Sequence, residues 1–135
     1  MAKKILVVDD EQEVVRAVQM SLENVGFEVL TAQNGLQAVS QVNTESPDLV
    51  LMDINMPVMN GFEAVQQLKA DEATAHIPIV MLTSDQSPGS RAIGMEAGTD
   101  IYLTKPFKPR DLVRRVKAAL RGAAMKRMFT RSKHP

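Results

Sequence analysis

At 135 residues the chain is long enough for one domain with a sizeable core. Hydrophobic residues at 44% and charged residues at 24% are ordinary for a globular protein, and the lack of cysteine excludes disulfides and thiolate metal sites. The net charge of zero hides an asymmetry: residues 1–120 hold all 16 acids against 11 Lys+Arg, for −5, and residues 121–135 hold five basic residues and no acid, for +5.

The first apolar run covers residues 5–8 and ends at Asp9-Asp10. Behind Met1-Ala2-Lys3-Lys4 it is too short for a signal peptide, and no segment has the length of a membrane span, so a cytoplasmic protein is expected. Val14, Val18, Leu22 and Val25 then follow a helical period, with Glu11 and Glu13 suited to the positive end of that helix and Gly26 ending it. Residues 28–31 read as a second strand. Leu36, Val39 and Val42 form a second helical stripe after Asn34-Gly35. Residues 49–52 are a third apolar run, stopping at Asp53. After the loop that Pro57 and Gly61 break, Phe62, Val65 and Leu68 mark a third helix. Residues 79–83 end in Thr83. A fourth helix, between Ser87 and Ala97, is weakened by Pro88, Gly89 and Gly94. Residues 101–104 form a fifth strand that stops at Lys105. Pro109 suits the first turn of the last helix, with Asp111 behind it and a stripe of Leu112, Val116, Ala119 and Leu120 that can run on to Ala123 and Met128.

Five βα repeats with continuous apolar strands predict an α/β fold. The sheet is parallel, its crossovers are right-handed and helices cover both faces. Ligands of such sheets bind beyond the carboxyl ends of the strands, which is where Asp9, Asp10, Asp53, Thr83 and Lys105 fall. Converging carboxylates repel one another and call for a cation; oxygen ligands without His or Cys suit Mg²⁺, with Mn²⁺ as second candidate. Asp9-Asp10-Glu11 can simply cap the first helix, but capping leaves Asp53 unexplained at the end of a buried strand. A loop carboxylate facing a metal and a lysine is a reasonable nucleophile towards phosphorus, and its product is an acyl phosphate. Thr83 can donate to a phosphoryl oxygen. If it moved to do so, Tyr102 on the next strand could turn inwards to fill the space; the simpler alternatives are a strand threonine and a packing tyrosine.

Taken in order, Asp9-Asp10, Asp53-x-x-Met56-Pro57-x-x-Asn60-Gly61, Leu82-Thr83-Ser84, Ala97-Gly98 and Tyr102-Leu103-Thr104-Lys105-Pro106-Phe107 resemble the receiver domain of bacterial two-component response regulators, of the chemotaxis-regulator-like, single-domain type. The resemblance covers about residues 3–121, and 122–135 is then a basic extension of the last helix or a tail. It implies a flavodoxin-like, doubly wound sheet of order 2-1-3-4-5 with five helices. Asp53 would be the phosphoacceptor, supplied by a sensor histidine kinase or a histidine phosphotransfer protein. Asp10, Asp53 and the main-chain carbonyl of Asn55 would bind Mg²⁺, with Asp9 acting through water, and Lys105 would hold the phosphate. Thr83 and Tyr102 would form a switch that repacks the surface of the fourth helix, fifth strand and fifth helix, where a downstream protein binds. Asn55 and Asp85, two residues after the acceptor and the switch threonine, would tune the lifetime of the phosphate and make it short. Departures are mild: Ser84 stands where alanine is common, and Thr99 follows Gly98.

The chain is thus expected to be a signalling phosphoprotein rather than an enzyme. A phosphohydrolase with an aspartate nucleophile is the alternative of another class, but its Asp-x-Asp motif after the first strand is replaced here by adjacent Asp9-Asp10. Neither nucleotide-binding glycine motif is present. The basic residues of 121–135 are too few, without a nucleic-acid-binding motif, to argue for direct nucleic-acid binding, and no membrane partner is expected. The lack of Pro and Ser runs in the tail favours a stand-alone receiver over the receiver part of a larger DNA-binding or enzymatic regulator.

Overall fold

The computed structural model describes residues 2–54, 56, 58–83 and 101–133, with side chains except at 101 and 127–133. β1 (Lys4–Val8), α1 (Gln12–Glu23), β2 (Glu28–Ala32), α2 (Gly35–Glu45), β3 (Leu49–Asp53), α3 (Gly61–Ala70), β4 (Ile79–Thr83), β5 (Ile101–Thr104) and α4 (Pro109–Lys133) follow in chain order. The expected helix between Ser87 and Ala97 lies outside the described residues, so four helices are seen of the five expected. All strand pairs are parallel and the sheet order is β2-β1-β3-β4-β5, as the resemblance implied.

The apolar runs that read as two-sided strands are two-sided. Ile5 and Val7 of β1, Leu49 and Leu51 of β3, and Val80 and Leu82 of β4 face a core closed by Val18 and Leu22 of α1 and by Leu112, Val116 and Ala119 of α4. Their neighbours Leu6, Val8, Val50, Met52, Ile79 and Met81 face the other core, closed by Ala38 and Val42 of α2 and Ala64, Val65 and Leu68 of α3. Alternate residues of a strand point to opposite faces, so each run supplies both cores.

Two helical stripes shift from the sequence reading. Val25 lies past the end of α1 and is exposed, because the helix stops at Glu23 and Gly26 takes φ +97. Leu36 is also exposed; the buried face of α2 is Gly35, Ala38 and Val42, with Val39 packed at its margin. The face is rotated because Gly35, lacking a side chain, is what the neighbouring loop packs against. α3 opens with a capping box: Asn60 Oδ1 accepts from the Glu63 amide at 2.9 Å and Glu63 Oε1 accepts from the Asn60 amide at 3.2 Å. α4 runs unbroken to Lys133, which places the basic C-terminal segment on a continuing helix. Among the described residues no helix is long and apolar enough to cross a membrane.

Candidate functional site

Register brings the polar strand ends together. Val8 stands opposite Met52, and Asp53, the last residue of β3, stands opposite Leu82. Asp9 therefore leaves β1 level with Asp53. On the far side Thr83 pairs with Thr104, the residue before Lys105. Carboxylate oxygens of Asp9, Asp10 and Asp53 all lie within 4.8 Å of one another. Asp9 and Asp53 are buried and Asp10 is exposed.

Lys105 reaches into this group. Its Nζ is 2.9 Å from Asp9 Oδ2, 3.5 Å from Asp53 Oδ1 and 3.9 Å from Glu11 Oε1. Its amide donates to the Thr83 carbonyl at 2.7 Å, and the following Lys105-Pro106 bond is cis. The second oxygen of Asp9 accepts from the Glu11 amide at 2.9 Å. Asp9 thus accepts from the backbone just ahead of α1 and pairs with the lysine; α1 itself carries no side-chain cap, so the capping expected of Asp9-Asp10-Glu11 is not what the structure has. Three carboxylates share one ammonium, and the pocket stays formally negative. Its donors are all oxygen, with one carboxylate open to solvent, which fits a hard divalent cation that keeps part of its water.

The titration of the pair reflects this imbalance. Burial pushes the Asp53 carboxyl up to about 6 from an ordinary 3.8; Asp9 and Asp10 push the same way and Lys105 pulls back. For Lys105, burial pulls the ammonium down. The hydrogen bond to Asp9 and the charges of Asp53, Asp9 and Glu11 more than offset it, and its pKa rises. Asp53 is thus an uncomfortable anion at neutral pH, and Lys105 is firmly cationic.

Thr83 is buried at the end of β4. Tyr102, on β5 opposite Met81, is half-buried and packs against the core on the α2–α3 side of the sheet. Beside it a surface groove between β5 and α4 is lined by Tyr102, Thr104, Phe107, Arg114 and Arg115 among others. Asn55 and Asp85 lie outside the described residues, as do Pro57, Ser84 and Ala97-Gly98.

Three features of the site were not legible in the sequence. Glu11 was read only as a helix-end acid, yet it contributes a third carboxylate near Lys105. Val58, in the loop after Asp53, takes φ +71, a conformation that β-branched residues avoid. Two glycines also meet this loop with no room for a side chain. A Cβ on Gly61 would overlap the Asp53 carbonyl, and one on Gly35 would lie 2.5 Å from the Met59 carbonyl. Asn34-Gly35 and Asn60-Gly61 were visible as turn signals, but the partner each glycine meets depends on long-range packing.

Residues 5–117 match the family described as response regulator receiver domain. The chain is 44% identical over 121 residues to the alkaline phosphatase synthesis transcriptional regulatory protein PhoP of Bacillus subtilis, covering 90% of this chain and 50% of that protein. It is 42% identical over 121 residues to the phosphate regulon transcriptional regulatory protein PhoB of Escherichia coli, covering 90% and 53%. The chain thus spans about half the length of these curated relatives. Among solved structures it superposes on the chemotaxis response regulator CheY4 of Vibrio cholerae with a TM-score of 0.84 at 34% identity, covering 88% of this chain and 99% of that one. The receiver domain of a sensor histidine kinase from Pseudomonas aeruginosa, solved with a magnesium ion coordinated in its active site cleft, gives 0.83 at 31% identity, covering 89% and 98%. Family match, sheet order and the acidic pocket with its lysine agree, and the chain belongs to the response regulator receiver domain family.

Proposed function

We propose that this chain works as a phosphorylation switch in which Asp53 takes a phosphoryl group from a phosphohistidine of a partner kinase or phosphotransfer protein. The observation that carries this reading is the placement of Asp53: a buried carboxylate at the end of β3, 3.5 Å from a lysine and grouped with two further carboxylates. The P–N bond to the donor imidazole breaks, an Asp53 Oδ–P bond forms and the imidazole leaves. Lys105, already cationic and aimed into the pocket, offsets charge on the phosphoryl oxygens. Asp10 and Asp53, with the main-chain carbonyl of Asn55, would hold Mg²⁺, and Mn²⁺ suits the same donors. Asp9, both of whose oxygens already have protein partners, would act through water. When bound, the metal neutralises charge between the carboxylates and the phosphoryl oxygens. Hydrolysis of the acyl phosphate returns the free carboxylate and inorganic phosphate, so the site assists its own resetting without turning over free phosphoesters.

The output side rests on Thr83 and Tyr102. A phosphoryl oxygen gives the Thr83 hydroxyl a new acceptor, and movement of that side chain makes room for the Tyr102 ring one strand over. The surface of β5, the last helix and the segment before β5 would then present a different face to a downstream protein.

Incubation with Mg²⁺ and acetyl phosphate, read by intact mass, tests the reading. Wild type should gain one phosphoryl group and Asp53→Asn none; an unchanged wild-type mass sinks it. Asn55 and Asp85 are polar and suit an attacking water, so the phosphorylated form should be short-lived. A half-life of many hours without a phosphatase counts against that role.

A second reading is supported by coverage: the relatives named above are transcriptional regulators about twice as long as this chain. In that reading the chain is the receiver part of a longer regulator and α4 leads into its linker. The mass of the protein in its native cells separates the two, 14.9 kDa for the chain as it stands against a larger product.

A further inference from the structure

The loop after Asp53 is held by backbone groups from two helix N-termini. At its start, the Gly61 amide of α3 donates to the Ile54 carbonyl at 2.9 Å, and the Ile54 amide donates to Leu82 of β4 at 3.3 Å. At its far end the Met59 carbonyl accepts from the Gly35 amide of α2 at 3.0 Å. The first amides of a helix have no partner within it. The first turn of α2 is fixed by Asn34, whose Oδ1 accepts from the Gln37 amide at 2.9 Å, and its first amide is thereby free to hold this loop.

The fit allows no side chain. A Cβ on Gly35 would stand 2.5 Å from the Met59 carbonyl and 2.9 Å from Met59 Cγ. Between the two tethers Val58 is held at φ +71 although its side chain is 78% exposed. Burial of the side chain therefore does not impose that conformation. Strained backbone persists where surrounding contacts over-determine it, and among the described residues the contact between Met59 and Gly35 is adjacent to Val58.

We infer that Gly35, on a helix that supplies no group to the acidic pocket, is a positioning residue for metal binding. Its amide and its lack of a side chain set the path of the loop that follows Asp53. The inference rests on the proposed site, and metal affinity is the quantity that reads it. A group that orients a metal site without touching the ion typically affects affinity by roughly 10–100-fold.

Calorimetric titration with Mg²⁺ alone is the test, run with urea unfolding on the same variants. Gly35→Ala should weaken Mg²⁺ binding about tenfold or more. Val42→Ala, buried on the same helix away from the loop, should lose stability and keep wild-type affinity. Equal affinity for Gly35→Ala and wild type overturns the inference, and so does a parallel loss of affinity and stability in both variants. If Gly35→Ala does not fold, Asn34→Ala loosens the same turn at a partly exposed position; it should weaken Mg²⁺ binding measurably, and unchanged affinity there is equally fatal. A wild type that binds Mg²⁺ but takes no phosphoryl group refutes the proposed function while the affinities still decide the role of Gly35. A wild type that binds no Mg²⁺ ends both.

Discussion

Replacing Asp53 by asparagine should stabilise the metal-free protein at neutral pH. The folded structure raises the Asp53 carboxyl from 3.8 to about 6, with burial first and Asp9 next among the causes. A group whose folded pKa lies above its unfolded value favours folding while it is protonated and loses that contribution as it ionises. The contribution is therefore complete below about pH 4 and gone above about pH 6. The interval from 3.8 to about 6 corresponds to roughly 3 kcal/mol. Asparagine keeps the shape and removes the charge. Lys105 loses its 3.5 Å partner in the variant but keeps Asp9 at 2.9 Å. The raised value already includes the pull of Lys105, so the gain at pH 7.5 should be up to about 3 kcal/mol.

The assay is urea unfolding in EDTA at several pH values between 4 and 8. At pH 7.5 the midpoint of Asp53→Asn should lie higher by roughly 1 M, with an unchanged slope. At pH 4 the two proteins should unfold together, because both carry an uncharged group at position 53. Mg²⁺ at about 100 times its dissociation constant should return about 2.7 kcal/mol to wild type and nearly close the gap. A difference that does not change with pH, or a less stable variant at pH 7.5 in EDTA, would refute the reasoning. Either result would mean that Lys105 outweighs burial and the neighbouring carboxylates.

Two further substitutions probe the same frame. Lys105→Met leaves Asp9, 1% exposed, without its ion pair and should lower stability in EDTA at pH 7.5 by about 3 kcal/mol, read by the same unfolding curves and partly restored by Mg²⁺. Leu112→Ala opens a cavity in the α1–α4 side of the core and should lower stability by about 2–5 kcal/mol, whereas Leu36→Ala, at a position the sequence marked as apolar stripe and the structure exposes, should change it by less than about 0.5 kcal/mol. Equal losses in thermal unfolding for these two leucines would contradict the observed face of α2.

The difference between Leu112 and Leu36 shows which information the sequence carried. The stripe of the last helix is long and regular, so its buried face was legible, and so were the five strands, each a short apolar run between breakers. The stripe of α2 was misread by one position because a glycine on its buried face leaves no hydrophobic signal. Asp9, Asp53, Thr83 and Lys105 were legible for a different reason. A parallel sheet collects the carboxyl ends of its strands on one edge, so polar residues that end apolar runs must meet, and their order along the chain matters little. The exchange between Lys105 and Asp9 was less legible. The lysine stands closer to Asp9 than to Asp53, a choice set by about half an ångström of side-chain placement. That small difference has a consequence for the site. A lysine held chiefly by Asp9 leaves Asp53 raised towards neutrality and only weakly paired. The groups proposed to change that balance are a metal on the carboxylates or a phosphoryl group on Asp53 itself. A pocket so unbalanced in its resting state responds strongly to the arrival of either, as a switch input requires.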